Sequence, residues 1–121
     1  MALGGKDFER LVLQEFPSLR DDFTEWEGLL HLQVMEFATF TERAAAGGQN
    51  AIVKTCLTLA DLFIREGDQE VWNAMHVSFL EALPRQGDVY LMLRSGMSPT
   101  LCKSWDDILA YLKTGSANDR C

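Results

Sequence analysis

The stretch that decides the fold is NAIVKTCLTLADLFIRE, residues 50–66. Its apolar residues recur at intervals of three and four positions, which is the spacing of one face of an α-helix. They cover so wide an arc that a single neighbouring helix would leave part of it in water. The pattern therefore predicts a central helix that is packed on several sides. Its remaining polar strip includes Asp61 and Arg65, four positions apart in the order that favours an ion pair.

Similar spacing on both sides of residues 50–66 predicts further helices, separated by glycine and proline residues that interrupt helical geometry. Pro17 ends the first of them. Ser98 followed by Pro99 begins the last, because serine caps a helix and proline fits its first turn. The predicted helices cover residues 6–16, 28–46, 50–66, 69–83 and 99–114, with a short helical turn at 89–94.

These helices predict an all-α fold in a single domain, residues 1–121. Two short glycine turns, Gly47-Gly48 and Gly67-Asp68, join the second, third and fourth helices, and such turns favour consecutive helical hairpins. We therefore expect a compact irregular bundle of five or six helices built from antiparallel helical hairpins. Residues 1–5 and 116–121 are expected to be frayed.

The composition is that of a globular protein, since 47% of the residues are hydrophobic and 24% are charged. No stretch approaches the roughly 20 consecutive apolar residues of a membrane span, and the start MALGGKDFERL lacks the apolar core of a secretory signal. We therefore expect a cytoplasmic protein that does not bind membranes. The three cysteines, Cys56, Cys102 and Cys121, have no zinc-type spacing, so no metal site is expected.

The chain is acidic, with 18 acidic and 11 basic residues, so its formal net charge is 11 − 18 = −7. Such a charge repels the phosphate backbone of DNA or RNA, and a nucleic-acid partner is not expected. It suits a basic protein partner, although acidity also serves solubility. The charge therefore disfavours nucleic-acid binding and leaves protein binding open.

One short segment, DDFTEWEG at residues 21–28, concentrates negative charge around a tryptophan. Clustered acids usually form a solvated surface, and Trp26 could pack under the following helix. The alternative is a binding patch, in which Trp26 anchors a partner and the flanking acids speed its association. Both interpretations stay open, and the second makes this segment the candidate partner-binding site. The acidic segment is defined as Asp21, Asp22, Glu25, Trp26 and Glu27.

A histidine stands in NAMHVSFLEALP, residues 73–84, which otherwise has the pattern of a buried helix face. A helical wheel places His76 beside Trp72 on the apolar face and Glu81 on the opposite side. Any polar partner is therefore expected from another helix. The other histidine of the chain, His31, does not form a metal-ligand spacing with it. We favour a packed core histidine. An enzyme of unrecognised type, with a helix-lined pocket around His76, is the alternative.

The common catalytic motifs do not occur in the sequence, which contains no GxxxxGKS/T phosphate loop, no GxGxxG turn, no HExxH and no GxSxG. No catalytic residue and no cofactor are therefore predicted. Because these motifs represent only the common enzyme classes, enzymatic activity is left open, with a non-enzymatic role favoured.

Three segments in a fixed order carry a resemblance to a known family: FPSL, then IREGDQEVWNAMHVSFLEAL, then MSPTLCKSW. They combine a phenylalanine-proline turn, a glycine-acid turn, a helix of the form NAxxVSFLExL, and a serine-proline turn before the last helix. Over residues 8–112 the chain resembles a family of small bacterial all-helical proteins classed as a domain of unknown function. The resemblance implies an immunity-like role, as a protein that is encoded beside toxins and neutralises one of them.

These observations together predict a protein-binding module, an immunity-type or regulatory protein that occludes a basic partner such as a toxin. The acidic segment would imitate the anionic substrate of that partner. Two alternatives belong to other classes: the enzyme with a pocket around His76, and a scaffold subunit that would expose an apolar strip containing Val77 and Ala74. The oligomeric state is left open.

Overall fold

The structure is a computed structural model that describes residues 2–119, with the side chains of residues 2–112. Seven α-helices occupy this part of the chain, together with a 3₁₀ turn at Pro17–Leu19 and a π-helical segment at Met75–Leu80. No helix within it has the length and apolar character needed to cross a membrane. The α-helices are α1 (Gly5–Glu15), α2 (Arg20–Glu25), α3 (Leu30–Ala46), α4 (Asn50–Glu66), α5 (Gln69–Ala74), α6 (Gly87–Gly96) and α7 (Pro99–Asp119).

The all-α fold predicted from the sequence is confirmed, although the helices number seven rather than five or six. The additional helix is α2, which stands where the sequence indicated a bend. Pro17 opens the preceding 3₁₀ turn, and Asp21 and Asp22 lie in the first turn of α2, where negative charge complements the helix dipole. Leu19 and Phe23, four residues apart, are both buried. Burial of these two side chains stabilises a helix too short to persist alone.

The central position predicted for residues 50–66 is also confirmed. Helix α4 contacts α1, α3, α5, α6, α7 and the π segment, so it is packed on several sides. The link between α3 and α4 is three residues long, which makes these two contacting helices a helical hairpin. The residues of α4 buried in these contacts are Val53, Cys56, Leu57, Leu59, Ala60, Phe63 and Ile64.

An aromatic cluster joins the elements around α4. The ring of Phe8 in α1 lies 5.8 Å from Phe23 in α2, 5.8 Å from Phe37 in α3 and 4.9 Å from Phe63 in α4. Phe37 in turn stacks on Phe79 of the π segment at 5.2 Å. All five rings are fully buried. Aromatic pairs at such separations stabilise a fold beyond the area that they bury, and this cluster fixes α2 against the bundle.

Two predicted polar features of α4 and its neighbours are present. Asp61 accepts a hydrogen bond from Arg65 at 2.8 Å, and its second carboxylate oxygen accepts one from Ser98 at 2.7 Å. The Ser98 hydroxyl oxygen also accepts the backbone N–H of Leu101 at 3.0 Å, as a helix cap does. At the start of α5, Asp68 caps through the N–H of Val71 at 2.9 Å. Asp61 therefore joins the middle of the bundle to the beginning of α7.

The structure shows backbone contacts at the start of the described chain and a helix at its end. Within residues 1–5, Leu3 exchanges two backbone hydrogen bonds of 2.8 Å with Glu66 and Asp68, which corrects the expectation of a frayed start. Helix α7 continues through Gly115 to Asp119, because an interior glycine costs a helix only about 1 kcal/mol. The fraying predicted for 116–121 stays a prediction, and positions 120 and 121 lie outside the described residues.

Replacing Gly67 by alanine is expected to destabilise the protein. Gly67 ends α4, and an added Cβ would overlap the carbonyl oxygen of Phe63 and lie 2.7 Å from Cγ1 of Val71. Overpacking of this kind costs on the order of 1–3 kcal/mol. The matched control is Gly47→Ala at the end of α3, where the nearest atom would be 3.4 Å away. Urea unfolding that gives equal losses for the two variants would contradict a steric clash at Gly67.

The stability contributed by Cys56 is expected to decline at alkaline pH. Burial raises the pKa of its thiol from 9.0 to about 11. The native state therefore holds the proton more tightly, so the contribution is complete below pH 9 and is lost as pH rises towards 11. Urea unfolding at several pH values should show the stability advantage of the wild type over Cys56→Ala shrinking in that window. A constant difference would show that the thiol is not buried as described.

Candidate functional site

The acidic segment has an inner and an outer side. Phe23 fixes the inner side of α2 in the aromatic cluster, while Asp21 and Glu25, one helical turn apart, are exposed. Asp22 is half-buried, and Glu27 is exposed in the turn between α2 and α3. A short helix anchored by one buried phenylalanine thus carries three of the four carboxylates.

Trp26 lies between the solvent and α3. Its ring is half-buried, and its indole N–H donates to the Glu36 carboxylate at 3.3 Å. The backbone turns sharply after it: the N–H of Leu29 donates to the Trp26 carbonyl at 2.9 Å, and Gly28 has a φ of 80° that favours glycine. This position is compatible with both expectations for Trp26. The residue can pack against the following helix and still offer part of its surface to a partner.

The carboxylates of the acidic segment have no basic neighbour at ion-pair distance among the side chains of residues 2–112. The acids paired in that range are Asp7, Asp61, Asp106 and Asp107. Asp106 pairs with Arg94, and Asp107 pairs with Lys103. No ion pair with a described side chain therefore neutralises the negative charge of the acidic segment.

Glu27 also lines a cleft that the sequence did not predict. The cleft has a volume of about 320 Å³ and lies where the start of α1, the turn before α3, and α5 meet. Its polar lining includes the carboxylates of Glu9, Glu27 and Glu70, the ammonium of Lys6 and the amide of Gln33. One signal could have pointed to it, because Gln33 occupies a position on the apolar face of α3, three residues after Leu30 and four before Phe37.

His76 is a packed histidine with a partner on its own helix. It is 8% exposed, its ring stacks on Trp72 with centroids 4.0 Å apart, and its Nδ1 lies 2.9 Å from the Trp72 carbonyl oxygen. Because a carbonyl only accepts, Nδ1 is the donor. The expectation of a partner from another helix was therefore wrong, since the carbonyl four residues earlier faces the imidazole directly.

The π segment brings a second polar pair together. The hydroxyl of Ser78, which is buried, lies 2.8 Å from Nδ1 of His31 on α3. This distance is suitable for a hydroxyl and its general base. However, His31 makes no second hydrogen bond among the described residues that would orient its ring as a general base. The contact is best interpreted as the satisfaction of a buried hydroxyl between two packed elements.

The apolar strip proposed for a scaffold role does not form. Val77 is 47% exposed, but Ala74 is fully buried in the core. Trp72, which the helical wheel assigned to the buried face, is 43% exposed. Trp72 lies in α5, whose buried face is formed by Val71 and Ala74, so its side chain falls at the edge of that face. No group of three metal-binding side chains occurs in the described part of the chain.

The fold and these surfaces define a small all-helical domain without a recognised catalytic centre. Residues 9–113 match a family described as a domain of unknown function, DUF7674, and the chain belongs to that family. The predicted resemblance to an uncharacterised helical family over residues 8–112 is thus confirmed. No curated protein and no solved structure gives a significant match to the chain.

Removing the imidazole of His76 is expected to destabilise the protein. His76→Ala would lose the stacking on Trp72 and the hydrogen bond to its carbonyl and would leave a cavity, at a cost of roughly 2–4 kcal/mol. His76→Phe keeps an aromatic ring and should lose less. Thermal unfolding of both variants measures the difference. Unchanged stability of His76→Ala would contradict a packing role and return the residue to consideration as a functional group.

Proposed function

We propose that this protein is a protein-binding module that presents the acidic segment to a basic partner and blocks the surface that it covers. The observation that carries the proposal is the position of the four carboxylates. They flank Trp26 in the sequence, and they have no ion-pair partner among the described side chains. The net charge of −7 adds a long-range attraction for a basic surface.

The support of Trp26 favours binding over simple solvation. A tryptophan contributes most to an interface when its position is fixed before binding, because less conformational freedom is then lost. The hydrogen bond to Glu36 and the turn at Gly28 both restrict this side chain and its backbone. The half of the ring that is not covered by the protein can contact a partner, while the acids around it attract basic groups.

Occlusion is the mechanism that this arrangement supports. A row of carboxylates on a short, anchored helix resembles the repeated negative charges of an anionic substrate, so it could fill a cationic active site. We propose on this basis an immunity-type role in the bacterial cytoplasm, with a basic toxin as the partner. A regulatory protein that covers a basic surface of another kind would use the same contacts.

Neutralising the acidic segment is expected to abolish capture of the partner. The variant carries Asp21→Asn, Asp22→Asn, Glu25→Gln and Glu27→Gln. The experiment is a tagged pull-down from a lysate of the source organism at physiological ionic strength, with mass spectrometry of the eluate. The wild type should capture a basic protein in stoichiometric amount and lose it at high salt. The attraction between exposed charges is screened over about 8 Å at physiological salt, and over a shorter distance as the salt concentration rises.

The matched control neutralises four exposed acids elsewhere and has the same net charge, −7 + 4 = −3. It should capture the partner as the wild type does, and circular dichroism should show equal helicity for all three proteins. Equal capture by the two variants would assign binding to overall charge or to another surface. An eluate from the wild type without a basic protein would refute the proposal. The control substitutions are Glu15→Gln, Glu42→Gln, Glu66→Gln and Asp88→Asn.

A further inference from the structure

The cleft beside the acidic segment is lined by a buried glutamine that is held by hydrogen bonds. Gln33, on its wall, is only 4% exposed, and its amide nitrogen is fully engaged. The nitrogen donates to the carbonyl oxygen of Phe23 at 3.0 Å and to a carboxylate oxygen of Glu9 at 3.4 Å. These two bonds fix the orientation of the amide, because only the nitrogen can donate to both acceptors.

The amide oxygen of Gln33 is left without a donor among the described residues. This oxygen is not one of the buried polar atoms that lack a partner, so it is open to solvent at the cleft and can accept a hydrogen bond from a bound molecule. The carboxylates of Glu9, Glu27 and Glu70 line the same cleft, against one cation, Lys6. The acceptors that line the cleft are therefore suited to a ligand that donates hydrogen bonds and carries positive charge.

We propose that this cleft binds the guanidinium group of an arginine side chain supplied by the basic partner. The inference rests on the proposed function and names the chemistry that the partner would insert beside the acidic segment. Glu27 belongs to both surfaces, so an arginine in the cleft would lie next to the contact made by Trp26.

A guanidinium group fits the cleft better than a compact cation does. It presents five N–H donors in a rigid plane, which suits acceptors that approach from several directions, whereas a lysine ammonium is a strongly hydrated point charge. A metal ion needs ligands that converge within about 2–2.6 Å of one point. The described side chains contain no such group. The volume of about 320 Å³ accommodates the planar group together with the end of its aliphatic stem.

The test uses N-acetyl-arginine methylamide as the probe, titrated into the full chain and followed by NMR at the side-chain amide of Gln33. The control ligand is N-acetyl-citrulline methylamide, which has nearly the same shape but a neutral urea in place of the guanidinium. The arginine compound should shift the Gln33 resonances in a saturable manner, and the citrulline compound should not. Equal shifts from both ligands, or shifts from neither, would overturn the proposal.

Two substitutions distinguish binding in the cleft from a general attraction between opposite charges. Glu70→Gln should weaken binding of the arginine compound by roughly threefold, the size of an exposed ion pair, while Glu66→Gln, which lies outside the cleft, should leave it unchanged. Equal effects of the two substitutions would overturn the proposal that the arginine compound binds in this cleft. Because this titration needs no partner protein, saturable binding with an empty pull-down would refute the proposed function alone, and a captured partner without arginine binding would refute the cleft alone.

Discussion

The burial of Phe8 against three other phenylalanines is the contact on which the rest of the structure depends. One ring from α1 touches α2, α3 and α4, and α3 passes the contact on to the π segment through Phe37 and Phe79. Each of these helices is short or flanked by glycine, so most of its stability must come from tertiary packing. The cluster also determines the surface, because α2 can direct carboxylates outward only while Phe23 holds its other side in the core.

The parts of the fold that follow from periodicity were predictable, and the parts that follow from tertiary contacts were not. Helix α4 has the predicted bounds, Asn50–Glu66, because apolar spacing and two glycine turns define it locally. Helix α2 has only six residues and is stabilised by a contact with Phe8 that no local pattern contains. The backbone pairing of Leu3 with the turn at Gly67 joins residues distant in sequence, so a start rich in glycine was expected to fray.

The candidate site likewise has a part that the sequence predicts and a part that only tertiary contacts create. Composition identified the acidic segment, because charge and a tryptophan are visible in the sequence. The cleft was missed, since Glu9, Glu27 and Glu70 come from three separate elements. The surroundings of His76 were misjudged for a different reason. A helical wheel compares side-chain directions only, so it leaves out backbone acceptors such as the Trp72 carbonyl that faces His76. Trp72 is 43% exposed, although the wheel placed it inside, because Val71 and Ala74 form the buried face of α5.

In the proposed complex, the acidic segment and the cleft would contribute differently to recognition, because their interactions act over different distances. Exposed carboxylates such as Asp21 and Glu25 act at long range and are screened by salt, so they would speed association more than they hold the complex together. The lifetime of the complex depends on desolvated contacts at short range, which the half-buried ring of Trp26 and the amide of Gln33 can provide. Glu27 lies between the two and would join them. A partner with basic charge alone would thus associate quickly and leave quickly, whereas one that also places an arginine beside Trp26 would stay bound.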